Sequence, residues 1–232
     1  MDAATTSGNA QVNGHPVRER LILSTIDLLA DTGPQALKVR TITDRAGVST
    51  IAVYHHFGGL QELLQEVVGW GYADLQAALT AASHADPDPA VQLFAMALAT
   101  RAVAQRNAHL YDMMFGLSTR GTYRHIDSPD HSVPRGFEPA YSVLVAACER
   151  LTRSGRVTSS TGDEMAAQLW SAVHGFVMLE VAGNFAHFSD PVSAVLQPIA
   201  VNILTGMGDD RARAESAART ATQWWSGSSY VM

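Results

Sequence analysis

Apolar residues recur at three- and four-residue spacing along most of this 232-residue chain, and no stretch supports a strand-rich domain. The pattern predicts an all-α protein. A first helix is expected from Val17 to Asp31, with Leu21, Ile22, Ile26, Leu28 and Leu29 as its core face and Gly33-Pro34 as its stop. Val39, Ile42 and Ala46 make the stripe of a second, short helix. Gly47 ends it, and Val48, Val53 and Phe57 carry the pattern on. A third helix is expected from Thr50 to His56, with Ser49 as its N-cap. A longer helix from Leu60 to Ala82 carries Leu63, Leu64, Val67, Val68, Leu75 and Leu79. The DPDP run at Asp86–Pro89 breaks it and opens a helix to Arg106, followed by a short one over Ala108–Phe115. Residues 117–135 read as loop. Three longer helices are expected near 136–153, 162–188 and 191–206, and a further one in the tail up to Trp224.

The third helix is the most informative. It is too short to be stable alone, so Val53 and Phe57 must anchor it. Its free face then holds Thr50, Ile51, Ala52, Tyr54, His55 and His56, small or hydrogen-bonding groups suited to base edges and phosphates. A helical hairpin in an ordinary core has no use for Tyr-His-His on its open side. Two short helices joined at Gly47 are how a protein presents a helix to the major groove. The candidate DNA contacts are Arg40, Ser49, Thr50, Ile51, Ala52, Tyr54, His55 and His56, with Arg40 and Tyr54 assigned mainly to phosphates.

The run VRTITDRAGVSTIAVYHHF, Val39 to Phe57, resembles the N-terminal helix-turn-helix domain of the TetR family of bacterial regulators. That family couples AGVS to a short helix ending in YxxF, here Tyr54 to Phe57, and the likeness extends from about Arg18 to Leu64. The chain departs from the pattern at Lys38, where a Ser or Thr usually caps the second helix. It departs again at Leu60, where a phosphate-touching Lys is usual, and at Gly58-Gly59. The resemblance implies double-stranded operator DNA and a small-molecule effector as partners, and a homodimer as the assembly.

Charge alone would not suggest nucleic acid, since the formal net charge is −6. The acidity is unevenly placed. Arg18, Arg20, Lys38, Arg40 and Arg45 balance Asp2, Glu19, Asp27, Asp31 and Asp44 over residues 1–57, so the remaining 11 basic and 17 acidic residues carry the whole −6. The neutral head must therefore cluster its cations on one face to serve DNA. No apolar run has membrane-spanning length, and the start lacks the basic and apolar regions of a secretory signal, so a cytoplasmic protein is expected. Cys148 is the single cysteine and is expected to be a small buried residue.

Trp170 and His174 are spaced by four and share a helix face, beside Gly175. This resembles the WHG-type C-terminal domain of one branch of TetR-like regulators. Two readings stand: the pair packs and hydrogen-bonds in the core, or His174 orients a ligand in an apolar cavity. The candidate ligand residues are Tyr111, Met114, Phe115, Tyr141, Trp170, His174 and Met178. The helices at 162–188 and 191–206 are apolar on more than one face, which calls for burial against a second copy. Val192, Val195, Leu196, Ile199 and Ile203 are the candidate interface.

Nothing argues for catalysis. The chain has no GxSxG, P-loop, GxGxxG or HExxH. Adjacent His55 and His56 point about 100° apart on a helix and cannot readily share an ion. His125 and His131 with Asp127 and Asp130 offer at most adventitious zinc binding, so neither metal nor cofactor is expected. The organisation expected is an arm at 1–16, a helix-turn-helix domain at 17–60, a ligand-binding and dimerisation domain at 61–207 and a tail at 208–232. The expected function is a ligand-responsive DNA-binding regulator released from its operator by a small, mostly apolar effector. The alternatives are a helical small-molecule-binding or enzyme-like protein, or a protein–protein adaptor.

Overall fold

The computed structural model describes residues 15–115, 136–158 and 161–227. Among them the chain is helical and holds no strand. The helices are α1 (Val17–Thr32), α2 (Val39–Ala46), α3 (Ile51–Phe57), α4 (Leu60–Ala82), α5 (Pro89–Arg106), α6 (Ala108–Phe115), α7 (Phe137–Arg153), α8 (Gly162–Val181), α9 (Gln197–Gly206) and α10 (Arg211–Ser226). The expected arm and the 117–135 loop, with its histidines, lie outside the described residues, apart from the arm's last two.

Two compact units divide the chain. The first takes the described residues up to Gly71 together with Asn107 to Phe115. Leu21, Ile22, Leu29, Ile42, Val53, Leu63 and Val67 are buried in it. Asn107 seats α6 there: its Oδ1 accepts the Leu110 N–H at 2.9 Å and its Nδ2 donates to the Ile26 carbonyl at 3.2 Å. Gly71 permits a close approach, since a Cβ on it would lie 2.5 Å from Met114 Sδ.

The second unit takes Tyr72 to Arg106 and the described residues from Gly136 on. α5 is its centre, buried from Ala90 to Thr100 and packed by α7, α8 and α10. Asp88 starts α5 by accepting the Ala90 N–H at 2.8 Å, and Asp210 starts α10 by accepting that of Arg213 at 2.9 Å. Thr161 and Glu164 form a reciprocal capping box at the head of α8. At the foot of this unit Arg156 grips two carboxylates from other loops. Its Nη1 lies 2.6 Å from both Asp88 oxygens, and its Nε and Nη2 lie 3.1 and 2.6 Å from those of Asp209.

Two expected helices differ in the structure. The one expected over 162–188 stops at Val181. Gly183 turns left-handed there (φ 80°), its N–H bonds the Glu180 carbonyl, and the Asn184 N–H reaches back to Leu179. The one expected over 191–206 opens as a wide turn, Val192–Leu196, in which the Gln197 N–H bonds the Val192 carbonyl five residues back. Pro198 has no N–H to return to Ala194, which removes one regular helical bond at that place.

Candidate functional site

In the first unit α2 and α3 meet at a tight corner. Gly47 is left-handed (φ 64°, ψ 39°), its N–H bonds the Asp44 carbonyl at 3.3 Å, and the Val48 N–H bonds that of Thr43 at 3.0 Å. These two bonds satisfy the end of α2 while turning the chain. At its start, Lys38 cannot accept a hydrogen bond, and Thr41 Oγ1 instead accepts the Lys38 N–H at 3.2 Å. Half of a capping box thus survives the departure seen in the sequence. Ser49 does not cap α3 through its hydroxyl. Thr50 occupies that place in helical conformation, and the helix begins with the Ala52 N–H on the Ser49 carbonyl and that of Val53 on Thr50.

Val53 is 0% exposed and fixes the rotation of α3. Phe57, half-buried, lies under the Arg18 guanidinium, 5.2 Å from ring centroid to Cζ, and Arg18 also pairs with Glu66 at 2.7 Å. Arg18 thereby ties α1, α3 and α4 together, a role its position in the sequence did not signal. With that side anchored, Ile51 is left 73% exposed and Tyr54 59%. Ser49, Thr50, His55 and His56 are exposed and Ala52 half-buried. The His55 and His56 rings stand edge to face, 4.8 Å apart. Arg40 projects from α2 with its side chain 88% exposed, 3.8 Å from Asp44 as its nearest carboxylate partner. Arg45 is instead occupied by Asp31. The structure brings all eight DNA-contact candidates to α2, α3 and the corner between them.

In the second unit an apolar cavity of about 30 Å³ lies among α4, α5, α7, α8 and α9. Leu93, Met96, Ala97 and Thr100 of α5 face Leu144 of α7 and Leu169, Trp170 and Val173 of α8 across it. That volume admits about two waters, so a larger guest requires these side chains to move apart. Beside it is an aromatic cluster. Phe137 stacks on Tyr141 at 5.3 Å, and both meet the Trp170 ring edge to face at 5.6 and 5.7 Å. Tyr72 adjoins Phe137 at 6.1 Å, and His174 adjoins Trp170 at 4.7 Å.

This interior is electrically quiet. Burial lowers the His174 pKa to about 4, so the imidazole is neutral at pH 7. Burial likewise raises the phenols of Tyr72 and Tyr141 and pushes the Cys148 thiol up to about 12. Cys148 is buried as expected.

Of the candidate ligand residues only Trp170 lines the cavity, with Tyr141 and His174 in the cluster around it. Met178 is half-buried on α8. Tyr111, Met114 and Phe115 belong to the first unit, where Tyr111 and Met114 are buried and the Tyr111 and Phe115 rings meet at 4.8 Å. Methionine and aromatic residues at helical spacing mark a core without saying which core. The α5 wall was missed because α5 is apolar all round and no spacing singles out one face. Of the interface candidates, Val192, Val195, Ile199 and Ile203 are half-buried, whereas Leu196 is 2% exposed and belongs to the chain's own core.

Residues 21–67 match the family model described as bacterial regulatory proteins, tetR family. Residues 93–201 match the one described as tetracyclin repressor-like, C-terminal domain. The chain belongs to the TetR family. It is a transcription regulator with a helix-turn-helix head. That second match spans Trp170, His174 and Gly175, the residues behind the WHG-type resemblance, and its description names no subdivision. No curated protein sequence matches this chain. Among solved structures, a protein of unknown function from Rhodococcus sp. RHA1 superposes with a TM-score of 0.72 at 22% identity, covering 84% of this chain and 97% of that one. RolR in complex with resorcinol gives 0.58 at 18% identity, covering 90% and 95%. FadR from Bacillus subtilis with stearoyl-CoA gives 0.60 at 12% identity, covering 82% and 97%. At such identities the likeness is one of fold.

Among the described residues no helix is long and apolar enough to cross a membrane. Among them, too, no group of three or more His, Cys, Asp or Glu is placed to hold a metal ion.

Proposed function

We propose that this TetR-family protein is a cytoplasmic, homodimeric repressor that leaves its operator when a small neutral effector enters the second unit. The outward face of α3 carries the DNA-binding part of this reading: Ile51, Tyr54 and His55 have no structural duty there, and Arg40 stands clear beside them. Two such heads would enter successive major grooves about 34–36 Å apart on a near-palindromic site.

The effector part rests on the uncharged cavity and its aromatic neighbours. A charged guest would find no counter-ion among Leu93, Met96, Leu144, Leu169 and Val173, so a neutral, mostly apolar molecule fits best. The Trp170, Tyr141 and Phe137 rings favour a flat, aromatic one, in keeping with the resorcinol bound by RolR. Neutral His174, one turn from Trp170, supplies one donor or acceptor to orient it. Ligand binding would favour a conformation with the cavity opened, and release follows if that conformation holds the heads at a spacing the operator does not accept.

Selection of bound fragments from random duplexes, followed by a screen of neutral phenols and other small aromatics for release, tests the reading. A selected near-palindrome released by such a molecule supports it. Failure to select any sequence removes the DNA-binding role, and release only by charged effectors removes the assignment of the cavity.

A further inference from the structure

Ile51 is the most exposed of the large apolar side chains exposed among the described residues. It stands at the first turn of α3, with Tyr54 and His55 three and four residues on and therefore on the same face. Between Ser49 and Phe57 there is no Arg, Lys, Asn or Gln. The side chains that most often read guanine and adenine by paired hydrogen bonds are thus absent from this helix. The groove edge of a base pair offers one apolar group, the 5-methyl of thymine. A protein partner is a poor alternative occupant, because a seven-residue helix with two large apolar side chains exposed falls far short of the roughly 800 Å² each partner usually buries.

We infer that Ile51 reads the 5-methyl group of a thymine in each half-site, so that sequence preference at that position comes from apolar contact and not from hydrogen bonding. The inference rests on the proposed role of α3 in reading DNA. It extends that role to a defined chemical group on the base.

The test uses the full chain and an operator selected from random duplexes. Each thymine is replaced in turn by 2′-deoxyuridine, which removes the methyl and leaves the pairing edge intact. Wild type should lose about four-fold in affinity at one position per half-site, the worth of one buried methyl. Ile51→Ala should bind more weakly than wild type and show no further loss at that position. Arg40→Ala should bind more weakly but keep the uracil penalty. Uniform tolerance of uracil by wild type overturns the inference, as does an unchanged penalty in Ile51→Ala. Failure to select any operator is a different result, which removes the DNA-reading role and the inference with it. Ile51 is so exposed that its truncation leaves the core intact, and melting curves of Ile51→Ala check this directly.

Discussion

Trp170 and His174 stand one helical turn apart on α8 with their rings 4.7 Å apart, and only the indole borders the cavity. A guest that displaces Trp170 must therefore also meet or move the imidazole behind it.

His174→Leu keeps roughly the same bulk and removes the polar handle. Folding and operator binding should survive, while the effector concentration needed for release should rise roughly five- to thirty-fold, for a hydrogen bond of about 1–2 kcal/mol. The same variant has a pH signature. With a folded-state pKa of about 4, below the unfolded value, the wild type loses stability as pH falls from about 6.5 towards 4. The loss from this group is at most about 3 kcal/mol and should be absent in His174→Leu. Effector titrations, and melting curves at pH 7 and pH 5, check the two effects; an unaltered effector response would remove His174 from the ligand's surroundings.

Arg40→Ala should weaken binding to all duplexes alike and flatten the dependence of log affinity on log salt by about 0.9 per lost phosphate contact. Its side chain is almost free of intramolecular partners, so the fold should not change. Fluorescence anisotropy across a salt series on selected and scrambled duplexes measures both quantities.

Val195→Glu or Ile199→Glu should produce monomers or aggregates with little operator affinity, because both side chains are half-buried before any partner is added. Leu196→Ala should act differently. It should lower the stability of the protomer by about 2–5 kcal/mol, since Leu196 packs inward. Light scattering together with denaturant melts separates the two classes, and a stable wild-type monomer would end the dimer proposal.

Arg156→Ala should cost about 3–5 kcal/mol, because it strands Asp209, which is 1% exposed, without its counter-ion. Denaturant unfolding at neutral pH checks the figure.

Much of this fold is legible in the sequence, and the gaps have physical causes. Helices such as Leu60–Ala82 and Ala108–Phe115 show their limits because Gly, Pro and apolar spacing act locally. The exposed face of α3 is legible for the same reason: Val53 and Phe57 fix its rotation from within the helix itself. Gly183 was the readable signal for the end of α8, in a stretch whose apolar residues continue past it. Leu196 and Val195 look alike in composition, and only the wide turn before α9 decides which of them faces inward. The assignment of Tyr111 and Met114 to the first unit depends on Asn107 and Gly71, whose contacts join residues far apart in the chain. The same holds for Arg156, whose partners no local pattern could name.

Arg156 lies 68 residues from Asp88 and 53 from Asp209, so its bonds close two long loops at once. Contacts of that kind carry a large loop-closure cost, so they are expected to form after the local helices. The grip of Arg156 should consequently be weak in the folding transition state and strong in the native one, slowing unfolding far more than it speeds folding. On that expectation, removing Arg156 should shorten the lifetime of the folded state more than it delays its formation.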